Sequence, residues 1–97
     1  MREAVAEFND EALFCDGFDE AIVGVAERFG MPPVAAYDYD KYIELIVKGG
    51  CSREAAVEYF EFNVIGAWMG ESTPVFVQLL SPSKTTTQKR KKQFLTT

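Results

Sequence analysis

The residues of this chain best equipped for chemistry are carboxylates. Asp16, Asp19 and Glu20 fall within the run Asp16-Gly17-Phe18-Asp19-Glu20, and Asp38, Asp40 and Glu71 are acids that folding can bring toward it. Carboxylate oxygens gathered at one point hold Mg²⁺ or Ca²⁺. A metal held in that way supports phosphoryl transfer by neutralising developing charge. The run lacks the D-x-D-x-D-G spacing of a calcium loop, so a structural assignment competes with it, with Asp16 in a turn and Asp38 capping a helix. The first expectation is therefore no cofactor, with Asp16, Asp19 and Asp38 holding Mg²⁺ or Ca²⁺ as the alternative.

Two further polar side chains stand out. Arg28 is the only basic residue between Arg2 and Lys41, in a stretch rich in Gly and Pro. It can bind an anion, but an internal pair with Asp19 or Asp38 is the expectation. Asn63 lies in an apolar stretch, where a buried amide needs partners. A hydrogen bond to the Gly70-Glu71-Ser72-Thr73-Pro74 segment is expected, and a ligand contact is the alternative.

Other chemistries are excluded by composition. The chain has no histidine, which removes the commonest general base and every Ser-His or Cys-His nucleophile arrangement. Cys15 and Cys51 are too few for a disulfide framework and too far apart for a zinc-finger pair, so both are expected reduced and packed. The glycines do not follow the spacing of a phosphate-binding loop.

Charge is divided sharply along the chain. Residues 1–83 hold all fifteen acidic residues and only five basic ones, a net of −10, whereas 84–97 carry +5 with no acid. An acidic body can imitate a phosphate backbone and occupy a basic groove on a nucleic-acid-handling protein. Acidity also serves plain solubility. Lys89, Arg90, Lys91 and Lys92 can add weak, salt-sensitive nucleic-acid affinity, although a solvated arm is the simpler reading.

These residues must be positioned by a small set of elements. Residues 2–9 form a short helix that needs docking to persist. Residues 21–26 read as a strand covered on both faces, with Gly24 marking a bulge or a close neighbour. After a seven-residue break at 27–33, residues 34–37 resume as a second strand, and the two make a hairpin. Asp38 caps a helix whose Tyr39, Tyr42, Ile43 and Ile46 form one stripe, supported by a Glu44–Lys48 pair. Gly49-Gly50 ends it, and Ser52 caps the next helix, giving a tight αα-hairpin. Ala56, Phe60, Val64 and Trp68 recur at four-residue spacing, so that second helix is expected to run to residues 68–70 as the central core element. Residues 75–80 read as a third strand. From Ser83 onward the composition is that of a flexible basic arm.

The segments EALFCDGFDEAIVGV (11–25), AAYDYDKYIELI (35–46) and SREAAVEYFEFNVIGAWMGESTPVFV (52–77) resemble a family of small uncharacterised proteins encoded by tailed bacteriophages. The resemblance spans about two-thirds of the chain and leaves out the basic tail. It implies a phage origin and expression inside an infected bacterium, and it implies no reaction.

The sequence thus predicts an α+β fold, with one acidic domain at 1–82 and a basic tail at 83–97. There is no secretory leader and no apolar run of spanning length, so the cytoplasm of the infected host is the expected location, with no membrane contact. The expected function is a non-enzymatic accessory role, binding and modulating a host protein of the defence or nucleic-acid machinery. The candidate binding residues are Asp16, Asp19, Glu20, Arg28, Asp38, Asn63, Trp68 and Glu71. A metal-dependent enzyme or small-ligand binder using the acidic cluster is the runner-up, and an oligomeric structural component is a third reading.

Overall fold

Short apolar segments and capped, striped helices follow one another along the chain, and the computed structural model, which describes residues 1–80, arranges them as an α+β fold. The order is α1 (Arg2–Ala6), a 3-10 turn (Asp19–Ala21), β1 (Ile22–Arg28), β2 (Met31–Asp38), α2 (Tyr39–Lys48), α3 (Arg53–Asn63) and β3 (Val75–Val77). The basic tail, with Lys89, Arg90, Lys91 and Lys92, lies outside the described residues.

The hairpin forms as expected, but with a shorter connection than the seven residues read from the sequence. β1 and β2 pair antiparallel out to Arg28 opposite Met31, leaving Phe29 and Gly30 as the turn, with Gly30 at φ +80°. Pro32 and Pro33 are accommodated because they fall at an irregularity between the Ala26–Val34 and Arg28–Met31 pairs. There a missing N–H costs no ladder bond. A second irregularity between Ile22 and Gly24 is a bulge, as Gly24 suggested. A Cβ at Gly24 would meet no atom within 4 Å, so no close neighbour is involved.

That bulge sets which residues face which way. An extra residue in one strand resets its alternation, so Ile22 and Val25 both join Ala35 and Tyr37 on the helix side. Gly24, Ala26, Val34 and Ala36 take the opposite side. β3 then pairs in parallel with β2, Val75 opposite Ala36 and Phe76 opposite Tyr37, giving the sheet order β1-β2-β3. β1 is not covered on both faces as its apolar composition implied, since Val23 is exposed.

The αα-hairpin matches its sequence signals. Asp38 Oδ1 accepts the backbone N–H of Asp40 at 3.0 Å and of Lys41 at 3.3 Å, and Ser52 Oγ accepts that of Ala55 at 3.1 Å. Gly50 turns the chain at φ +118°, a conformation that burdens any residue carrying a Cβ. Glu44 and Lys48 make no ion pair among the described residues; Arg53 Nη2 instead reaches Asp40 Oδ1 at 3.4 Å, joining the two helices.

The core is aromatic. Tyr42 stacks on Phe18 (centroids 3.9 Å apart, planes 6° from parallel) and meets Tyr37, Phe60 and Phe76 edge-on. Such edge-to-face pairs add about 0.5–1.5 kcal/mol each beyond their buried area. Val5 of α1 is buried in the same cluster, so the short helix is held by docking.

The central helix departs from expectation at its C-terminal half. It ends at Asn63, five residues short of Trp68. The N–H groups of Val64 and Ile65 both converge on the Phe60 carbonyl at 2.9 Å, the second across five residues, which closes the helix. β-branched Val64 and Ile65 followed by Gly66 are poor material for another helical turn. The Thr73 hydroxyl then accepts the Met69 N–H at 2.8 Å, and Gly70 at φ +102° sends the chain back toward β3. Phe60 is 1% exposed, but Phe62 is 79% and Trp68 68% exposed. The apolar run 62–68 is therefore largely a surface rather than an enclosed core.

Candidate functional site

The outer side of the sheet, away from the helices, is floored by small residues, and this gives it room. Ala26, Val34 and Val75 form the floor of a cleft of about 230 Å³. Trp68 walls one side, brought there by the early end of α3 and the return through Gly70. Met31 and Pro32 lie on the hairpin side, and Glu27, Arg28 and Glu71 supply charge. Three residues singled out in the sequence, Arg28, Trp68 and Glu71, therefore meet in one site although they are spread over 44 positions of chain. An apolar floor beside an exposed indole and charges of both signs is suited to docking a protein surface. The surrounding surface extends this character, with Phe62, Ile65 and Met69 exposed on the same segment.

The acidic run is put to a different use. Arg2 draws Asp16 and Asp19 together, its Nη2 donating to Asp16 Oδ1 at 3.2 Å and its Nε to Asp19 Oδ1 at 2.8 Å. The guanidinium also lies 4.8 Å from the centre of the Phe14 ring, within cation–π range. These two carboxylates hold Arg2 further toward its charged form. The expected Arg28–Asp19 pair is thus absent, because Asp19 is taken by Arg2. Asp38 is committed to capping α2, and Glu20 stands exposed in the 3-10 turn. Among the described residues, no three acidic or cysteine side chains are grouped to hold a metal ion.

Asn63 does not bond to the 70–74 segment. It is exposed, and its Nδ2 donates to the Tyr59 carbonyl one helical turn back at 3.2 Å. The bond that ties the 9–13 segment across to residue 72 comes from elsewhere. Asn9 Nδ2 donates to the Pro33 carbonyl at 2.8 Å and lies 3.2 Å from Ser72 Oγ, while the Leu13 N–H donates to the Ser72 carbonyl at 3.3 Å.

Cys15 and Cys51 are both free thiols. The Cys15 N–H donates to the Tyr37 hydroxyl at 2.8 Å, and burial pushes Tyr37 up to about 12. Tyr42 is raised further, again chiefly by burial, with the neighbouring Cys15 adding to it.

The cleft floor was missed from sequence. Its signal was the small residues Gly24, Ala26, Val34 and Ala36, which share one face of the hairpin once the bulge is placed. No protein-family model, curated protein or solved structure matches the chain. No helix among the described residues is long and apolar enough to cross a membrane.

Proposed function

We propose that this protein is a non-enzymatic phage accessory factor that binds and modulates a host protein in the cytoplasm of an infected bacterium. The observation that carries this reading is Trp68. It is a large aromatic side chain left 68% exposed at an apolar cleft, amid further exposed apolar residues. Monomeric proteins rarely leave such contiguous apolar surface open unless something docks there, and tryptophan is among the residues that dominate binding energy when buried by a partner.

The charge of the body describes the partner. A net of −10 over residues 1–83 favours a basic face, as found on proteins that handle nucleic acid. Glu27 and Glu71 place carboxylates in the lining of the cleft, so contact combines an apolar centre with charged groups at its edge. The phage origin rests on the resemblance of residues 11–25, 35–46 and 52–77.

The test is affinity capture from bacterial lysate with the full chain and with Trp68→Ala. One dominant host protein is expected with the wild type, weakened by added salt and lost with the variant. Identical captured proteins for both chains would overturn the reading.

A further inference from the structure

The solvent side of α3 carries two adjacent strips of different chemistry. Ala55, Tyr59 and Phe62 follow one another at i, i+4 and i+7, which sets them in one row on a helix. Glu54, Glu58 and Glu61 repeat that spacing one position earlier, so a row of carboxylates runs beside the apolar row. All six residues are exposed, whereas Ala56 and Phe60 on the opposite side fill the core. A shallow depression of about 470 Å³ opens at the N-terminal end of this face, between Glu54, Ala55 and Glu58.

The charge of this face is not balanced by its surroundings. Glu54, Glu58 and Glu61 pair with no basic group among the described residues. Arg53, the one cation of α3, is turned to Asp40 instead. Exposed aromatics beside three like charges fit an occupant that carries several cations with apolar side chains next to them.

The chain itself contains such a segment. Lys89-Arg90-Lys91-Lys92 is followed by Phe94 and Leu95, within a stretch, 84–97, that holds +5 and no acid. The point of attachment favours it as well. Phe76 of β3 packs edge-on against Phe60 of α3, ring centroids 5.0 Å apart, so the strand leading to the tail abuts this helix. Lys89 lies nine positions beyond Leu80, a reach of about 30 Å when extended, against roughly 16 Å for the whole of α3. A covalent tether also raises the effective concentration, so individually weak contacts suffice.

We propose that the basic C-terminal segment, residues 89–95, docks in cis on the solvent face of α3, its cations on Glu54, Glu58 and Glu61 and its Phe94-Leu95 pair on Tyr59 and Phe62. The contact neutralises part of the acidic body and withdraws Tyr59 and Phe62 from other partners. Trp68 lies beyond the end of α3 and lines the sheet-side cleft, so this contact does not depend on the host-binding role.

Carbodiimide coupling of the full chain tests this, because it joins a lysine amine to a carboxylate only where the two touch. Links from Lys89, Lys91 and Lys92 to Glu54, Glu58 and Glu61, read by peptide mass, are expected to exceed those to any other acidic residue several-fold. Raising the salt to about 0.5 M should reduce them several-fold, since exposed charges are screened. In a mixture of isotope-labelled and unlabelled chains, each link should join peptides of one label. A variant combining Lys89→Glu, Arg90→Glu, Lys91→Glu and Lys92→Glu, all past residue 82, should shift the amide NMR signals of residues 54–62 and leave those of the β1–β2 hairpin in place. Phe94→Ser should move chiefly the Tyr59 and Phe62 signals. Links spread evenly over the acids of the body would overturn the proposal. So would mixed-label links, which give the face to a second copy, or signals at 54–62 that ignore the tail variant.

Discussion

The backbone N–H of Cys15 donates to the Tyr37 hydroxyl at 2.8 Å, which fastens the irregular 11–18 segment to the central strand of the sheet. Neither residue belongs to the same element, and 22 positions separate them. Tyr37 is fully buried, so its hydroxyl has no solvent to turn to if this bond is lost. Tyr37→Phe should therefore leave a partly buried amide unpaired and lower stability by about 1–2 kcal/mol. Urea unfolding monitored by circular dichroism reads this directly.

Tyr37 and Tyr42 also set the alkaline limit of the fold. Both are raised above the ordinary tyrosine value of 10.0, Tyr37 to about 12. A group whose folded value is raised contributes stability that is fully present below its unfolded value and lost as pH climbs through the folded one. Stability should be flat with respect to these two groups below about pH 9 and fall steeply from pH 10 to 12. Denaturant midpoints across that window should show the decline, and Tyr37→Phe should make it shallower.

Phe60 and Trp68 sit two helical turns apart in the sequence pattern but in opposite environments. Phe60 is packed edge-on against Tyr39, Tyr42 and Phe76, with centroids 5.0–5.5 Å away. Phe60→Ala should cost about 3–5 kcal/mol, a large share of the roughly 5–15 kcal/mol that holds a domain together. Trp68→Ala should stay within about 0.5 kcal/mol of wild type, as exposed positions usually do. Thermal unfolding of the two variants side by side checks the contrast.

Gly50 carries the reversal between α2 and α3 at φ +118°. A Cβ there finds open space, so the penalty of Gly50→Ala is conformational rather than steric contact with neighbours. A loss of about 1 kcal/mol or more is expected, visible as a lower unfolding midpoint with unchanged spectroscopic signature.

The parts of the fold that were legible in the sequence are those fixed by local chemistry. Asp38 and Ser52 cap their helices, and Gly50 makes the turn between them, because each acts on its own few residues. The third strand was legible in position but not in length, since only Val75–Val77 of the expected 75–80 pair with β2, and its parallel pairing was not legible, because nothing local specifies a neighbour across the α2–α3 crossover. The end of α3 was misjudged because four-residue spacing through Val64 and Trp68 imitates a helix that Ile65 and Gly66 do not continue. At the candidate site, Arg28, Trp68 and Glu71 were each visible as unusual residues. Their convergence was not, because it depends on the Gly70 reversal. The expected partners of Arg28 and Asn63 failed for a related reason: Arg2 took Asp19, and the early end of α3 put Asn63 at the surface.

Trp68 is the only tryptophan in the chain, so its fluorescence reports the surface on which the proposed docking depends. In the free protein it should emit at the wavelength of tryptophan in water and be quenched freely by acrylamide. When the captured host protein is bound, emission should shift to the blue and quenching should fall. A blue-shifted, acrylamide-protected tryptophan in the free protein, or one unchanged by the partner, would contradict the account.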